Sequence, residues 1–237
     1  MFRFKNKKIK IFLDGVNKNS LKNKSLDIAD GLTYNPSLFR KLKVQNYLLE
    51  IKNISKIYKK KPLSFEIIAD DEKNGLYQAQ KISKYGKNIF VKIPICYTNG
   101  KSTKNLIKKV LQNSIKINVT AIMSFDQIKN IIHVIKDTNT ILSIFAGRIY
   151  DIGLDAKTEM KKINNFVHKN SKCKTLWASP RMSYDVISAM DTNTDIITIP
   201  EEFVKKFKKF GVSQKKYSTE TVKMFFNDAK KSNYKIK

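Results

Sequence analysis

The sequence predicts an α/β protein, a single (β/α)8 TIM barrel with an extra C-terminal helix. Three observations support this fold class. Short β-branched runs recur along the chain, amphipathic helical patterns lie between them, and nearly every run ends in a polar residue. Alternating strands and helices indicate a parallel sheet, and the carboxyl ends of barrel strands meet at the end that carries the active site.

The predicted strands are eight short runs that are rich in β-branched residues. They lie at residues 9–14, 32–35, 64–68, 89–93, 117–120, 140–145, 175–179 and 195–199. Runs of this length are typical of strands, and eight of them separated by helical patterns make up one closed barrel.

Apolar residues at helical spacing follow most of the predicted strands. They occur within residues 42–57, 106–111, 128–135, 160–167 and 203–207. Each segment has one apolar stripe and one lysine-rich face, as the outer ring of a barrel requires. A last helix at residues 218–231 carries Val222, Phe225, Phe226 and Ala229 and follows a predicted hinge at 211–217. That helix either closes the barrel or packs on a neighbouring subunit.

Length and composition fit one domain. The chain has 237 residues, 41% of them apolar, and no Pro/Gly/Ser-rich linker divides it, so residues 1–237 are predicted to form a single barrel of about the usual 250 residues. The longest apolar runs fall far short of the roughly 20 residues that span a membrane. Asp14 interrupts the apolar run behind the basic N-terminus, so we expect a cytoplasmic protein without a membrane partner.

The formal charge of +27 raises the question of nucleic-acid binding, because clustered basic residues bind phosphate backbones. Only four of the 47 basic residues are arginines, and the lysines are spread over nearly every predicted helix. This distribution favours solvated helix faces, so no nucleic-acid partner is expected. A non-catalytic, nucleic-acid-binding barrel remains the alternative from another functional class.

The metal-binding residue types are few and isolated. Cys96 and Cys173 are too far apart for a thiolate cluster, and His133 and His168 have no second ligand at suitable spacing. The sequence therefore predicts no metal site and no cofactor.

Lys92 is the central candidate for catalysis. It lies within the predicted strand at 89–93, between Val91 and Ile93. Burial disfavours the ammonium form of a lysine, and the neutral amine is the form that attacks a carbonyl carbon. A strand-end lysine that extends to water is the simpler interpretation of this residue alone, but its polar neighbours favour a catalytic one.

Polar residues on the other strands are predicted to surround Lys92. Residues two apart on a strand share a face. The pairs are Thr33 with Asn35, Asn118 with Thr120 and Ser143 with Phe145, and the carboxylates are Asp14 and Glu66. Because unsatisfied polar atoms are costly to bury, polar groups on five strands indicate an active site rather than packing.

Two of the four arginines follow the sixth and seventh predicted strands. Arg148 lies five residues after Ser143, and Arg181 ends the tripeptide that begins at Ser179. Guanidinium groups suit phosphate recognition, and late barrel loops often bind phosphate. The pair therefore predicts a phosphorylated substrate.

The same residues form an ordered set of short motifs. They are Phe12-Leu-Asp14, Gly31-Leu-Thr-Tyr-Asn-Pro-Ser37, Ser64-Phe-Glu66, Val91-Lys-Ile-Pro94, Asn118-Val-Thr120, Ser143-Ile-Phe-Ala-Gly-Arg148, Ala178-Ser-Pro-Arg181 and Ile197-Thr-Ile-Pro200. In this order they resemble the transaldolase family, in the short form that includes fructose-6-phosphate aldolase. The resemblance covers nearly the whole chain and implies a class I aldolase-like barrel.

The resemblance implies a catalytic role for four residues. Lys92 would form a Schiff base with the C2 carbonyl of a ketose, and Asp14 would take the proton from the C4 hydroxyl as the C3–C4 bond breaks. Glu66, through a water held with Thr120, would drive carbinolamine dehydration and imine hydrolysis. These roles agree with the chemistry of a lysine beside carboxylates.

The resemblance also implies a substrate site. The dihydroxyacetone part would be held by Thr33, Asn35, Asn118 and Ser143, next to Phe145, and the phosphate by Arg148, Ser179 and Arg181. We therefore expect sugar phosphates as substrates. Short members of the family form rings of subunits with exchanged C-terminal helices, so a homo-oligomer is expected.

Two positions bear on the reaction type. Glu66 occupies a position where the aldolase branch has a glutamine pattern, and Phe145 occupies one where that branch tends to have a tyrosine. Both positions therefore resemble transaldolase. A transferase must keep its imine until a second aldose arrives, which limited water activation favours. The alternatives are a lyase that releases dihydroxyacetone and a relative in specialised sugar biosynthesis.

Four features depart from the family pattern. Tyr34 replaces a threonine, Gly15 replaces a small hydroxyl residue, Pro180 lies beside the phosphate arginine, and the loop at residues 96–103 is longer than usual. The reaction is therefore better specified by the sequence than the sugar is.

Overall fold

The computed structural model describes residues 9–16 and 27–236, and they form a closed barrel of eight parallel strands. The order is β1 to β8, with β8 pairing back onto β1. The strands are β1 Lys10–Asp14, β2 Gly31–Thr33, β3 Leu63–Glu66, β4 Ile89–Pro94, β5 Ile117–Ile122, β6 Ile141–Ile144, β7 Lys174–Trp177 and β8 Ile196–Pro200. The predicted fold is confirmed, and each strand lies within a few residues of its predicted range.

Helices follow the strands as predicted, although several are shorter or begin elsewhere. They are α1 Pro36–Lys41, α2 Tyr47–Ile57, α3 Glu72–Ser83, α4 Lys104–Gln112, α5 Phe125–Ile135, α6 Ala146–Asp151, α7 Ala156–Asn170, α8 Asp185–Asp191, α9 Glu201–Lys206 and α10 Gln214–Lys231. Of these, α1, α3, α6 and α8 lie outside the ranges that apolar spacing predicts. The start of α5 is a capping box, in which Ser124 and Gln127 satisfy each other's backbone amides. Asn35 was predicted to end a strand, but its side chain caps α1 through the amide of Leu38, 2.8 Å away.

Two apolar layers hold the barrel together. The outer core lies between the strands and the helices, and the smaller cluster inside the barrel contains Phe12, Ile141 and Leu176. Gly31 is required by this inner cluster, because a Cβ atom there would lie 2.6 Å from the Phe12 ring. Ile141 and Ile196 of this cluster begin their strands, whereas Asp14, Thr33 and Glu66 are polar residues that end theirs.

The predicted long loop after β4 is an ordered hairpin. A bridge joins Cys96 to Ser102, and the amide of Tyr97 donates to the carbonyl of Lys101 at 2.9 Å. The hairpin is tied to the β3–α3 loop by Asp70, whose carboxylate accepts from the amide and hydroxyl of Thr98. We call residues 96–103 the β4 hairpin.

The last helix is longer than predicted. It begins at Gln214, capped by Ser213, so most of the predicted hinge at 211–217 is helical. The helix has no buried residue, and Val222, Phe225 and Phe226 are each about 60% exposed. Among the described helices, none has the length and apolar character needed to cross a membrane.

Candidate active site

The structure pairs Lys92 with Glu66 inside the barrel. The two residues are register partners on β4 and β3, and Lys92 Nζ lies 3.2 Å from a carboxylate oxygen of Glu66. The lysine is only 5% exposed. The carboxylate offsets the cost of burying an ammonium ion and provides a proton acceptor within hydrogen-bonding distance. The predicted position of Lys92 is therefore found, together with a counter-ion that the argument from burial alone did not include.

The backbone next to Glu66 is held by a residue that the sequence argument missed. The hydroxyl of Tyr47, on α2, donates to the carbonyl oxygen of Glu66 at 2.6 Å. Burial raises the pKa of this tyrosine, and the charge of Glu66 raises it further, so its hydroxyl stays a donor. Helix α2 therefore fixes the end of β3 that carries the carboxylate.

A second polar cluster surrounds Asp14. The hydroxyl of Thr33 donates to Asp14 Oδ1, and Thr198 Oγ1 lies 3.0 Å from the same oxygen and 2.6 Å from the Thr33 hydroxyl. Strand β1 separates β2 from β8, so Thr33 and Thr198 can meet only inside the barrel. Each hydroxyl has one proton, so Thr33 donates to Asp14 while Thr198 donates to either partner. Thr198 was not predicted as a site residue.

A third cluster runs across β4, beside Lys92. Asn118 is the register partner of Lys92, and its amide donates to Ser64 Oγ at 3.2 Å. Ser143 Oγ donates to the Asn118 carbonyl oxygen at 2.7 Å. All three residues are buried, so the chain Ser143–Asn118–Ser64 presents a fixed set of polar atoms inside the barrel. Ser64 is a further member that was not predicted.

Thr120 occupies an unusual position next to this cluster. It is fully buried, and within the described residues its hydroxyl has no hydrogen-bond partner. The next residue, Ala121, has a left-handed backbone with φ of 59°, where β5 shifts its register against β6. A buried hydroxyl without a protein partner and a strained backbone beside it are typical of functional sites.

Phe145 lies against the inner apolar cluster. It is partly buried and packs against residues that include Phe12, Leu176 and Ala178. The hydrogen-bonding capacity of Asn35 is partly used by its role at the start of α1. Tyr34, the departure from the family pattern, is fully buried among the outer-core aromatics and donates to the carbonyl of Val16, so it does not contribute to the polar clusters.

The two predicted phosphate arginines differ in their environment. Arg181 forms a bidentate ion pair with Asp151, with Nε 2.8 Å from Oδ1 and Nη2 on Oδ2. Its Nη1 donates to the carbonyl and hydroxyl oxygens of Ser179, both at 3.0 Å. The Arg148 side chain is exposed, and its guanidinium has no hydrogen bond or ion pair among the residues that the structure describes. The ion pair lowers the pKa of Asp151, chiefly through the hydrogen bonds from Arg181.

The loop after β7 is pressed against the start of α6. A Cβ atom on Gly147 would lie 1.7 Å from the Ser179 carbonyl oxygen, so only glycine fits there. Ser179 itself has a φ of 58°, and the amides of Arg181 and Met182 donate to the buried carboxylate of Asp185. The glycine of Ala-Gly-Arg therefore brings Arg148, Ser179 and Arg181 to one place.

The prediction of no metal site rested on two cysteines and two histidines. Cys96 and Cys173 are free, and no group of potential ligands large enough to hold a metal ion occurs in residues 9–16 and 27–236. His168 lies 2.8 Å from Asp195, which also accepts from the amide of Thr175. Burial raises the pKa of Asp195, but the contacts from Thr175, His168 and Lys174 lower it more.

These features define a TIM barrel with a buried lysine–carboxylate pair and two arginines at the carboxyl ends of its strands. A sequence model of the family described as Transaldolase/Fructose-6-phosphate aldolase matches residues 11–237. The chain belongs to this family.

Relatives with curated descriptions agree with the family assignment. Proteins named probable transaldolase are similar to this chain in Nitrosopumilus maritimus, with 31% identity over 84% of this chain and 86% of the relative, and in Clostridioides difficile, with 31% identity over 87% and 93%. The Thermoplasma volcanium protein of the same name is 34% identical over 83% of this chain and 86% of its own length.

Solved structures resemble the fold at low sequence identity. One is described as native KDPGal, with a TM-score of 0.54, 9% identity and coverage of 84% of this chain and 85% of that chain. Another is 3-keto-L-gulonate-6-phosphate decarboxylase from Vibrio cholerae, with a TM-score of 0.54, 10% identity and coverage of 82% and 88%. These similarities concern the barrel alone.

Proposed function

We propose that this protein is a transaldolase, which transfers a dihydroxyacetone unit from a ketose phosphate to an aldose phosphate. The donor would be fructose 6-phosphate or sedoheptulose 7-phosphate. The observation that carries the proposal is the buried Lys92 amine, 3.2 Å from the Glu66 carboxylate in the barrel. A lysine in such a place is suited to attack a ketone and form an imine.

In the proposed reaction, Lys92 adds to the C2 carbonyl of the ketose. The resulting carbinolamine loses water to give a Schiff base, whose positive nitrogen accepts electrons when the C3–C4 bond breaks. Glu66 takes the proton of Lys92 before attack. With a water on the Thr120 hydroxyl, Glu66 then moves the protons needed for dehydration and later hydrolysis.

Asp14 takes the proton of the C4 hydroxyl during cleavage, which releases the first aldose. It returns that proton when the retained three-carbon unit attacks the aldehyde carbon of the second aldose. The contacts from Thr33 and Thr198 hold the Asp14 carboxylate in one orientation, which supports a role that depends on geometry. Asn35, Asn118 and Ser143 would bind the hydroxyls of the dihydroxyacetone unit.

Arg148, Ser179 and Arg181 would bind the substrate phosphate at the rim of the barrel. Arg148 offers an unpaired guanidinium within the described part of the chain, and the Ser179 hydroxyl retains its own proton while it accepts from Arg181. Because these residues lie after β6 and β7, the phosphate would bind at late barrel loops, next to and partly overlapping the position after strands 7 and 8 that often holds this group.

Borohydride reduction in the presence of fructose 6-phosphate tests the reaction class. We expect an added mass on the peptide that contains Lys92 and no adduct in Lys92→Ala. Lys116→Ala is a matched control, because Lys116 is an exposed lysine just before β5, at the opposite end of the barrel. An adduct that persists in Lys92→Ala would refute the assignment.

A lyase that releases free dihydroxyacetone is the second candidate function. Phe145 favours transfer, because it presents no hydroxyl to activate a water at the imine, and its ring packs with the inner apolar cluster. Incubation with fructose 6-phosphate and no acceptor separates the two. Release of dihydroxyacetone at a rate close to the transfer rate would favour the lyase.

We also propose that the chain forms a homo-oligomer through α10. Its apolar residues Val222, Phe225 and Phe226 are exposed in the single chain, and helices with such a stripe usually bury it against a partner. Light scattering should give a mass that is a multiple of 27.4 kDa. Phe225→Ser with Phe226→Ser should lower that mass, and a monomeric wild-type protein would refute the proposal.

A further inference from the structure

Arg181 is close to saturated by contacts within the protein. A guanidinium has five N–H groups. In this structure Nε and one N–H of Nη2 bind Asp151, and Nη1 binds two oxygens of Ser179. One N–H of Nη2 is left, so a phosphate cannot take two parallel hydrogen bonds from Arg181 unless a protein contact is released.

The charges around the predicted phosphate site also cancel. Arg148 and Arg181 bring two positive charges, while Asp151 and Asp185 bring two carboxylates to the same loops. Asp185 is buried and holds the amides of Arg181 and Met182, so it is part of the loop scaffold. Asp151 is half-exposed and occupies the Nε and Nη2 edge of the guanidinium, an edge that could otherwise bind a phosphate with two hydrogen bonds.

We propose that Asp151 is a specificity-determining residue that competes with the substrate phosphate for Arg181. Phosphate binds by displacing the Asp151 carboxylate from the Nε and Nη2 edge of the Arg181 guanidinium, and this exchange weakens the affinity for phosphate. The protein thereby discriminates less between phosphorylated and unphosphorylated sugars than two free arginines would. This inference rests on the proposed phosphate role of Arg148, Ser179 and Arg181.

A positioning role for Asp151 would predict the opposite effect, and the geometry decides against it. Without Asp151, Arg181 still has both contacts to Ser179, and its backbone stays bound to Asp185. The loop is further fixed by the close approach of Gly147. Removing the Asp151 charge therefore frees one edge of Arg181 while its position is kept, and repulsion between carboxylate and phosphate disappears.

Direct binding of inorganic phosphate tests the proposal without turnover. We expect Asp151→Asn to lower the calorimetric Kd for phosphate by about three- to tenfold, the scale of one partly screened charge at a rim site. Asp137→Asn makes the same change in charge between α5 and β6, at the opposite end of the barrel, and should leave the Kd within about twofold. Asp151→Glu keeps the charge and should remain close to wild type.

Steady-state kinetics give the second measurement. Asp151→Asn should lower KM for fructose 6-phosphate by a similar factor and leave KM for unphosphorylated fructose unchanged. Weaker phosphate binding in Asp151→Asn would overturn the proposal and show that Asp151 only positions Arg181. If neither the wild-type protein nor any variant bound phosphate, both this proposal and the proposed phosphate role of Arg148, Ser179 and Arg181 would fail. Borohydride trapping on Lys92 would still decide the reaction class.

Discussion

The two sides of the barrel mouth are built differently. Around β3 to β5, Lys92 pairs with Glu66 and Asn118 bonds Ser64 inside the barrel, and the lysine and the amide are almost fully buried. After β6 and β7, Arg148, Asp151 and Arg181 are exposed. Arg181 is held by Asp151 and Ser179, whereas the Arg148 guanidinium has no hydrogen bond or ion pair among the described residues. Bond-breaking chemistry requires fixed groups in a low dielectric, whereas a phosphate that enters and leaves each cycle requires contacts that can exchange. The first side should therefore fail in turnover when altered, and the second in affinity.

The largest effect is expected for Asp14→Asn, in the polar cluster that β1, β2 and β8 form inside the barrel. The amide keeps the shape of the carboxylate but cannot take the C4 proton, so kcat should fall by about a thousandfold, within the range of general acid–base catalysis. Imine formation at Lys92 should continue and be detected by borohydride trapping. Turnover close to wild type in Asp14→Asn would show that another group moves this proton.

The second largest effect is expected for Gly147→Ala, at the close contact between α6 and the loop after β7. Gly147→Ala would place a Cβ atom 1.7 Å from the Ser179 carbonyl oxygen, so the loop or α6 must move. We expect a loss of about 2–3 kcal/mol in the free energy of unfolding, measured with urea. Gly153→Ala is the control, because Gly153 has open space around its Cα but a φ of 80°. That control should cost about 1 kcal/mol from backbone strain alone.

Arg148 tests whether the exposed side acts through affinity. Arg148→Ala should raise KM for fructose 6-phosphate by about tenfold at nearly constant kcat, because it removes a binding contact that is equal in the ground and transition states. KM for unphosphorylated fructose should not change. A fall in kcat with constant KM would place Arg148 in the chemical step instead.

The sequence predicted the barrel well, because most strands are short runs of β-branched, aromatic or aliphatic residues and most long helices have an apolar stripe. The predicted residues Lys92, Glu66, Asn118 and Ser143 were likewise marked by polar side chains in apolar runs. Short elements were harder to predict from the sequence. Helix α6 has six residues, less than two helical turns, so apolar spacing does not reveal it. Long-range partners could not be read from local pattern at all.

The missed residues share a physical reason. Thr198 is one hydroxyl in an apolar strand, which is common in ordinary cores, and only the closure of β8 onto β1 brings it to Asp14. Asp151 looks like any carboxylate on a helix surface, and its pairing with Arg181 spans 30 residues. Position along the strands therefore predicted several of the polar residues that the structure brings together, whereas the charge balance of the exposed side needed the folded geometry.

The smallest effect is expected for a change in the β4 hairpin. The hydroxyl and amide of Thr98 lower the pKa of Asp70, the hydroxyl more than the amide. Thr98→Val removes the hydroxyl contact, so an NMR titration should show the Asp70 pKa moving up towards its usual value. A depressed carboxylate pKa adds stability that is complete above the usual pKa and is lost as the pH falls through the depressed one. Thr98→Val should therefore reduce the acid dependence of stability slightly, and it should change kcat by less than about threefold, because Lys92 and Glu66 keep their own ion pair. A larger fall in kcat would mean that the contact between Thr98 and Asp70 sets the geometry of the Lys92–Glu66 pair.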